Sequence, residues 1–575
     1  MKRTDAPHSP TLDELVHAEL SKMSMGLSPI SLALAYADWA MHLSASPGKQ
    51  LALAQLANKL CQDTVAQQAN ISPEASPYAK DARFDNPAWS NWPYKLLKDS
   101  YQANEVWWKE STHVTGMSKH HEHLMQFFTR QFLDALSPSN WAISNPEVLA
   151  SIQKTGGESL RQGMQQYAED LKKISAQHLS SESEAMPALA YEVGKDVAVT
   201  PGKVVFKNKL IELIQYTPTT GKVHPEPLLI VPSCIMKYYI LDLSPHNSMV
   251  KYLVSEGFTV FMISWRNPSS EDRDLGMHDY IQMGVLDAIK AVQSVSTSRH
   301  VHAMGYCLGG TFLSIAAAVL GRQKNKSPLA SVTLLAAQTD FSEPGELGVF
   351  IDDDQLLTLR EEMAKTGYLS GRQMAGSFQF LNSRDLIWSR NTQRYLLGRE
   401  EVGNDMVSWN KDTTRLPARM HTEYLDSLFL NNSLSEGHYR VDGKPVDLMD
   451  IQQPLMVVGT VRDHISPWKS VYKIHTKTDT ETCFILAAGG HNAGIISEPG
   501  HPHRSYQMSC KNQGQGWLDP DAWQLSAPTE EGSWWTAWSR WLKSHSSAPV
   551  KAKAIAGGAS LPNAPGHYVM VRYND

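Results

Sequence analysis

No stretch of this chain stays apolar for long. The longest runs, such as Ser314–Leu320, fall far short of the ~20 residues a spanning helix needs. A membrane-crossing chain is therefore not expected, while attachment to an apolar surface is left open. Cysteine is scarce. Cys61, Cys234, Cys307, Cys483 and Cys510 are odd in number, irregularly spaced and without a C-x-x-C pair. Neither a zinc site nor a disulfide framework is suggested, and a reducing cytoplasm fits. Positive charge is not in excess: the net charge of -6 argues against general affinity for nucleic acid. The opening MKRTDAPHSPTLDEL carries charges with no apolar stretch behind them, so no signal peptide is expected there. Internal repeats are absent too.

What is present is a composition ordinary for a globular protein, 42% hydrophobic, in 575 residues. That is too much chain for one compact core, so two domains are expected. Residues 1–195 read as a mostly helical N-terminal domain. Apolar positions recur at helical spacing in Ile30–Leu43, Leu51–Leu60, Tyr94–Trp108 and His123–Leu136. Ser137-Pro138-Ser139-Asn140 and Asn145-Pro146 break the pattern.

Residues 196–575 read as a second domain. Lys203–Phe206 and Leu210–Tyr216 flank Lys207-Asn208-Lys209 as a hairpin would. Apolar strand candidates then alternate with helical segments: Leu228–Val231, Thr259–Trp265, Val301–Met304, Val332–Ala336, Leu455–Val458 and Phe484–Leu486. Such alternation predicts an α/β architecture, a mainly parallel sheet with helices on both faces. Between about 340 and 454 it stops, in a stretch rich in charge, aromatics and Met that includes the helical pieces Asp353–Lys365 and Arg419–Leu430. An insertion of this size on the rim of a sheet predicts a cap over the active site. Trp534, Trp538, Trp541 and Leu542 fall on one helical stripe and are expected to pack in the core. Ser544 to about Pro565 reads as a linker or loosely docked extension.

One motif stands out: Gly305-Tyr306-Cys307-Leu308-Gly309-Gly310-Thr311, a strand, a tight turn and a small-residue helix with a nucleophile at the turn. Esterases with this pattern carry Ser at the centre; here it is Cys. A thiolate attacks thioesters readily and keeps the acyl group as another thioester. On this sheet type an acid and then a histidine should follow in chain order. Asp463 comes after the Leu455–Val458 strand and His491 after Phe484–Leu486, about one βα crossover apart. His491 is expected to take the thiol proton and Asp463 to hold the imidazole in the right tautomer. His464 adjoins Asp463 but follows the wrong strand. The oxyanion should meet the N–H of Leu308 and a second N–H from Ser233, Cys234 or Ile235, with Cys234 preferred.

These residues resemble one family closely, the polyhydroxyalkanoate synthases. The matching stretches are Lys237–Leu243, Phe261–Pro268, Gly305–Thr311, Arg462–Trp468, Gly490–Gly494 and Gly532–Trp535, with Asp134–Asn140 and Gly156–Leu160 further upstream. The resemblance runs from about residue 80 to the end and carries little before it. It departs where the family usually has Asn before the Lys-Tyr-Tyr run: here Met236 stands. The resemblance implies an α/β-hydrolase fold with an inserted cap, preceded by a helical domain. It implies polymerisation of (R)-3-hydroxyacyl-CoA into a polyester with release of CoA, and Cys307, Asp463 and His491 as nucleophile, acid and base. The chain length and Thr311 after the Gly-Gly pair look like the single-subunit class that prefers short acyl chains such as 3-hydroxybutyryl. Granule-surface attachment, phasin-type granule proteins and a homodimer follow from the resemblance as partners. No cofactor or metal is implied, the CoA thioester being substrate.

In this chemistry the cap keeps water from the acyl-enzyme, and its opening predicts a lag. Arg266 and Lys237 are expected to be structural cations rather than phosphate contacts. A thioesterase or polyester depolymerase on the same scaffold is the main alternative. A non-catalytic granule-surface protein would show a broken triad.

Overall fold

The computed structural model describes residues 28–68, 78, 80–179, 190–322, 327–381, 383–400, 403–555 and 560–572. The opening stretch weighed above as a signal peptide lies outside them. The chain divides into two compact units. One comprises residues 1–186 with 376–402, the other 187–375 with 403–575. The first boundary falls some residues before the expected 195, and part of the expected cap, 376–402, belongs with the N-terminal helices.

The first unit is helical, with Pro29–Ser44, Pro47–Gln68, Tyr94–Ser111, Lys119–Leu136, Pro146–Thr155 and Glu158–Leu179 as its long elements. The breaks expected from sequence act as caps. Asn145 Oδ1 accepts from the N–H groups of Glu147 and Val148, and Gly156 ends that helix in the left-handed region at φ 60°. Phe84, Trp89 and Tyr101 form a small apolar centre. Beside it lies a buried charge cluster. Arg83 reaches Asp81 (2.6 Å), Asp134 (2.9 Å) and Glu105 (3.1 Å), and Arg384 of the inserted segment reaches Asp134 (2.7 Å) and Glu105 (2.9 Å).

The second unit is built on a ten-stranded sheet. Its strands are β1 Gly202–Lys207, β2 Ile211–Tyr216, β3 Leu228–Val231, β4 Val260–Trp265, β5 Val301–Tyr306, β6 Leu329–Leu335, β7 Leu455–Thr460, β8 Thr482–Ala487, β9 Ser505–Lys511 and β10 Thr529–Glu531. The order is β1-β2-β4-β3-β5-β6-β7-β8-β9-β10. From β4 to β8 the pairing is parallel, and the flanking strands are antiparallel. This is the α/β-hydrolase arrangement. The central strands are almost wholly buried, which is why their sequences are continuously apolar rather than alternating. All six strand candidates and the leading hairpin are found.

The rim at the carboxyl ends of β3, β5, β7 and β8 gathers the segments after Val231, Tyr306, Thr460 and Ala487. On the helix Trp534–Ser544 the stripe residues Trp534, Trp538, Trp541 and Leu542 are buried as expected, and Trp535, off the stripe, is fully buried as well. Two indoles reach up: Trp534 Nε1 donates to Gly494 O and Trp535 Nε1 to Ile495 O, each at 2.9 Å. Within this unit the inserted residues 403–454 include the helix Ala418–Tyr424, which runs on through a π-turn to Leu430.

Two expectations are revised. The C-terminal extension is docked, not loose. Val550–Lys551 pairs with Lys222–Val223, Val204 N donates to Pro562 O (3.0 Å), and Ala564 N donates to Gly202 O (2.9 Å). The buried Glu212 carboxylate accepts from the N–H groups of His567 and Tyr568. The exposed ladder of β1, an edge that invites pairing with other chains, is thereby covered. The second revision concerns cysteine. Cys483 of β8 and Cys510 of β9 stand directly opposite in an antiparallel register and are joined as a disulfide. Linear spacing gave no sign of it, because β9 was not recognised as a strand.

Among the described residues no helix is long and apolar enough to cross a membrane.

Candidate active site

The site grows from the turn after β5. Cys307 sits at φ 52°, ψ -128°, a conformation costing a residue with a Cβ about 1–3 kcal/mol. Its surroundings impose it: Cys307 N donates to Leu335 O (2.9 Å), and Cys307 O accepts from Gly310 N (2.9 Å) and Thr311 N (3.3 Å). The flanking glycines are required by closeness rather than by φ. A Cβ on Gly305 would lie 2.4 Å from Gly310 Cα. One on Gly309 would lie 2.3 Å from Val231 O and 2.4 Å from Pro232 O. The loop after β3 is thus pressed against the Cys307 turn.

Asp463 is fixed by the turn that follows β7. Its Oδ1 accepts from Ile465 N (2.9 Å) and Ser466 N (2.8 Å), and Thr460 Oγ1 donates to Oδ2 at 3.2 Å. Oδ2 also faces His491 Nδ1 at 2.8 Å. The Cys307 thiol lies close enough to the same imidazole to act on its proton. The structure therefore brings together all three side chains chosen from sequence, in the chain of contacts acid, imidazole, thiol. Burial alone would lower the pKa of His491. The Asp463 carboxylate, with Cys307 behind it, outweighs burial and raises it well above the ordinary imidazole range. An imidazole that holds its proton tightly suits a base that must take one from a thiol. His464, the rival, has its backbone carbonyl engaged by Glu346 N at 3.0 Å, and the ring nitrogen bound to Asp463 belongs to His491.

Leu308 begins the helix Leu308–Gly321, so its N–H is one of the amides that have no partner within the helix. Of the three residues weighed for the second oxyanion donor, Ile235 gives its N–H to Ser233 Oγ at 3.3 Å. Cys234 lies close to Cys307. Burial first, and the neighbouring Cys307 second, push its thiol far above the ordinary range. That side chain stays a neutral group. Lys237 is buried with Nζ on Val571 O (2.5 Å), and Arg266 pairs with Asp272 (2.5 Å). Both cations are tied into the fold.

Sequence reasoning missed three supports. Tyr306 donates its OH to Asn492 Oδ1 at 2.6 Å, and its ring lies 5.6 Å from that of His491. The indoles of Trp534 and Trp535 grip the loop just after the imidazole. Tyr424 of the insertion is buried and close enough to Cys307 and Cys234 to feel both thiols. The first was visible only as two residues adjoining catalytic candidates. The others depend on tertiary placement.

The family models for the N-terminal region of poly-beta-hydroxybutyrate polymerase match residues 80–253 and 7–49, and one for the alpha/beta hydrolase fold matches 227–497. The match at 7–49 extends the family likeness into the first 80 residues, where the motifs had shown little. The poly(3-hydroxyalkanoate) polymerase of Methylorubrum extorquens is 38% identical over 513 residues, 88% of this chain and 84% of its own. That of Cupriavidus necator is 37% identical over 516 residues, 87% and 84%. The chain belongs to the poly(3-hydroxyalkanoate) polymerases. A further member, polymerase 2 of Ectopseudomonas oleovorans, is 35% identical over 86% of this chain and 87% of its own. Among solved structures, the monoacylglycerol lipase of Paleococcus ferrophilus aligns at 13% identity with a TM-score of 0.31, over 58% of this chain and 99% of its own. The family is one of polymerases, and the family model over 227–497 places this member on an α/β-hydrolase scaffold.

Proposed function

We propose that this polymerase is an acyltransferase that polymerises (R)-3-hydroxyacyl-CoA, with 3-hydroxybutyryl-CoA as its short-chain substrate, through an acyl group carried on Cys307. The observation that carries the reading is the Asp463–His491 hydrogen bond with the Cys307 thiol beside the imidazole at a strained turn, sulfur standing where related scaffolds have oxygen. His491 takes the thiol proton. The thiolate attacks the thioester carbonyl, and the oxyanion is met by the N–H groups of Leu308 and Cys234. The C–S bond to CoA breaks, CoA leaves with the proton from His491, and the acyl group remains on Cys307. The exchange of one thioester for another is nearly isoenergetic. The 3-hydroxyl of a further unit then attacks the acyl carbon, its proton passing to His491 or Asp463; the C–S bond to Cys307 breaks, the thiolate is released for the next cycle, and an oxoester replaces a thioester, which is downhill. A serine at 307 would lose that stored free energy in the first step.

The reaction uses no cofactor. Its partners in this reading are the acyl-CoA, the growing polyester chain and the granule surface in the cytoplasm, with phasin-type proteins on that surface and a second copy of the chain. The test is incubation with 3-hydroxybutyryl-CoA, following free CoA with a thiol reagent and polymer by turbidity. CoA release with insoluble polymer is expected. CoA release with free acid alone would make the protein a thioesterase, and release retained in Cys307→Ala would remove the nucleophile.

A further inference from the structure

The inserted residues do more at this site than cover it. The leg Trp409–Arg415, which leads into the helix Ala418–Tyr424, is stitched to the loop after β3. Trp409 Nε1 donates to Lys237 O at 2.8 Å, and Tyr239 OH donates to Asp412 Oδ2 at 2.9 Å. Met236 and Thr413 form an antiparallel bridge. A second loop is held as well: Arg415 donates its N–H to Asn267 Oδ1 (2.9 Å) and Nη1–H to Pro268 O (3.0 Å).

The stitch nearest the chemistry is Thr414. Its hydroxyl lies 2.8 Å from Cys234 O and 2.7 Å from Ile235 O, and its N–H donates to Ile235 O at 3.3 Å. Thr414 is buried, so water does not compete for these bonds. The peptide groups Cys234–Ile235 and Ile235–Met236 are thereby fixed from outside the sheet, and the preceding group, which carries the Cys234 N–H, is anchored at its carboxyl side. From the other side, Gly309 meets Val231 O and Pro232 O almost in contact. The short stretch Val231–Ile235 is clamped between the nucleophile's turn and the insertion, and the direction of its N–H groups follows from the clamp.

We propose that Thr414 is a positioning residue of the reaction. By holding the carbonyls of Cys234 and Ile235 it aims the Cys234 N–H at the oxyanion formed on the Cys307 adduct. This rests on the Cys307 acyl-enzyme reading and deepens it. The insertion is then part of the catalytic frame. An opening motion that carried Trp409–Arg415 away would dismantle the oxyanion-binding edge, so the leg stays with the sheet and any hinge lies beyond it.

The experiment compares Thr414→Val, Thr414→Ser and the unaltered full chain. Steady-state kinetics with 3-hydroxybutyryl-CoA are combined with binding of two CoA analogues. One is a thioether, which mimics the ground state. The other is a trifluoromethyl ketone, whose carbonyl carbon forms a C–S bond with the Cys307 thiolate and leaves an oxyanion. Loss of one oxyanion donor costs about 10²–10³-fold, and misaiming it should cost somewhat less. Thr414→Val is expected to lower kcat about 10–100-fold with KM within about threefold, weaken capture of the ketone by the same factor and leave thioether affinity unchanged. Thr414→Ser keeps the hydroxyl and should stay within about threefold of the unaltered chain on every measure. The proposal is overturned by a Val variant with unchanged kcat, by equal losses for ketone and thioether, or by failure of Ser to rescue. If Val unfolds the chain, Thr414→Ala removes the hydroxyl with less bulk, and unfolding by both would make Thr414 a structural prop and overturn the proposal. Should the unaltered chain fail to capture the ketone, or Cys307→Ala still turn over, the acyl-enzyme reading itself fails, whatever Thr414 does.

Discussion

Replacing Asp463 with Asn separates charge from shape at this site. Oδ1 accepts two backbone N–H groups, those of Ile465 and Ser466, while Oδ2 faces His491 Nδ1 at 2.8 Å. An Asn side chain must keep its oxygen in the Oδ1 position, since turning it over would set the NH₂ group against two donors. The NH₂ group then faces the imidazole and donates to Nδ1. The ring proton moves to Nε2, the remaining nitrogen, which can no longer accept from the thiol. In a serine triad this exchange lowers kcat about 10⁴-fold. A thiol ionises more easily than a hydroxyl and needs its base less, so the expected loss is about 10²–10⁴-fold, roughly 3–5 kcal/mol of barrier. Single-turnover CoA release from 3-hydroxybutyryl-CoA at pH 7 measures it. A variant within tenfold of the unaltered rate would refute the tautomer argument. Stability gives a second reading. With its pKa raised, folded His491 binds a proton more tightly than the unfolded chain does. The resulting stabilisation is complete below the unfolded value of about 6.5 and fades as pH climbs through the folded one. The Asp463→Asn variant would lack it. The gap in unfolding free energy between the two proteins should therefore be widest in mild acid and narrow in alkali. A gap independent of pH would contradict the assigned cause.

The remaining expectations concern the frame. Gly309→Ala puts a Cβ 2.3 Å from a backbone oxygen that cannot step aside, so activity should fall at least ~10²-fold, as a misplacement near 1 Å does; an active Ala variant would mean the turn and the β3 loop are further apart. Arg384→Gln leaves the buried Asp134 to Arg83 alone of the two guanidinium groups that now share it, and since that carboxylate stays paired and Arg384 is a third exposed it should destabilise the N-terminal unit by only about 1 kcal/mol, read from its denaturant midpoint. His302 is buried between Ser331 Oγ (2.7 Å) and Ser546 Oγ (3.0 Å), and burial pushes its pKa down to about 4. Between about pH 6.5 and 4 the unfolded chain therefore takes up a proton that the folded one refuses, so stability falls on acidification by roughly 3 kcal/mol. His302→Gln should flatten the pH dependence of unfolding by about one proton, and an unchanged slope would refute the assignment.

The parts of the fold legible in the sequence share a physical reason. A parallel strand covered on both faces must be apolar throughout, so Leu228–Val231 and Leu455–Val458 announced themselves. The strand Ser505–Lys511 did not. It lies near the edge, its residues are half-buried, and its polar side chains read as a loop; with it went the Cys483–Cys510 pairing. The three catalytic candidates were legible because each ends a recognisable strand in the order the scaffold requires. Their supports were not, because a hydroxyl such as that of Thr414 carries no local signal of which carbonyl it will find. The membership of 376–402 was hidden for a related reason. Arg384 is an ordinary surface-type residue until Asp81, Glu105 and Asp134, distant in the chain, supply three carboxylates around it.

Charge near the rim makes the same point in reverse. Lys237 and Arg266 flank the pocket in sequence and would be natural counterions for the phosphates of an acyl-CoA. In the fold each is already answered. Arg266 shares the buried Asp272 with Lys209 (3.2 Å), and Lys237 points its ammonium at a backbone carbonyl of the docked C-terminal segment. Turning Arg266 towards a phosphate would take from a buried carboxylate its nearer cation, and turning Lys237 would strip a part-buried carbonyl of its partner, the latter at about 1–3 kcal/mol. A solvent-exposed ion pair returns at most about 1 kcal/mol. The exchange is unfavourable, so a polyanionic substrate must be met by cations that the fold leaves in solvent. The two residues instead hold the loops after β3 and β4 in place around the thiol.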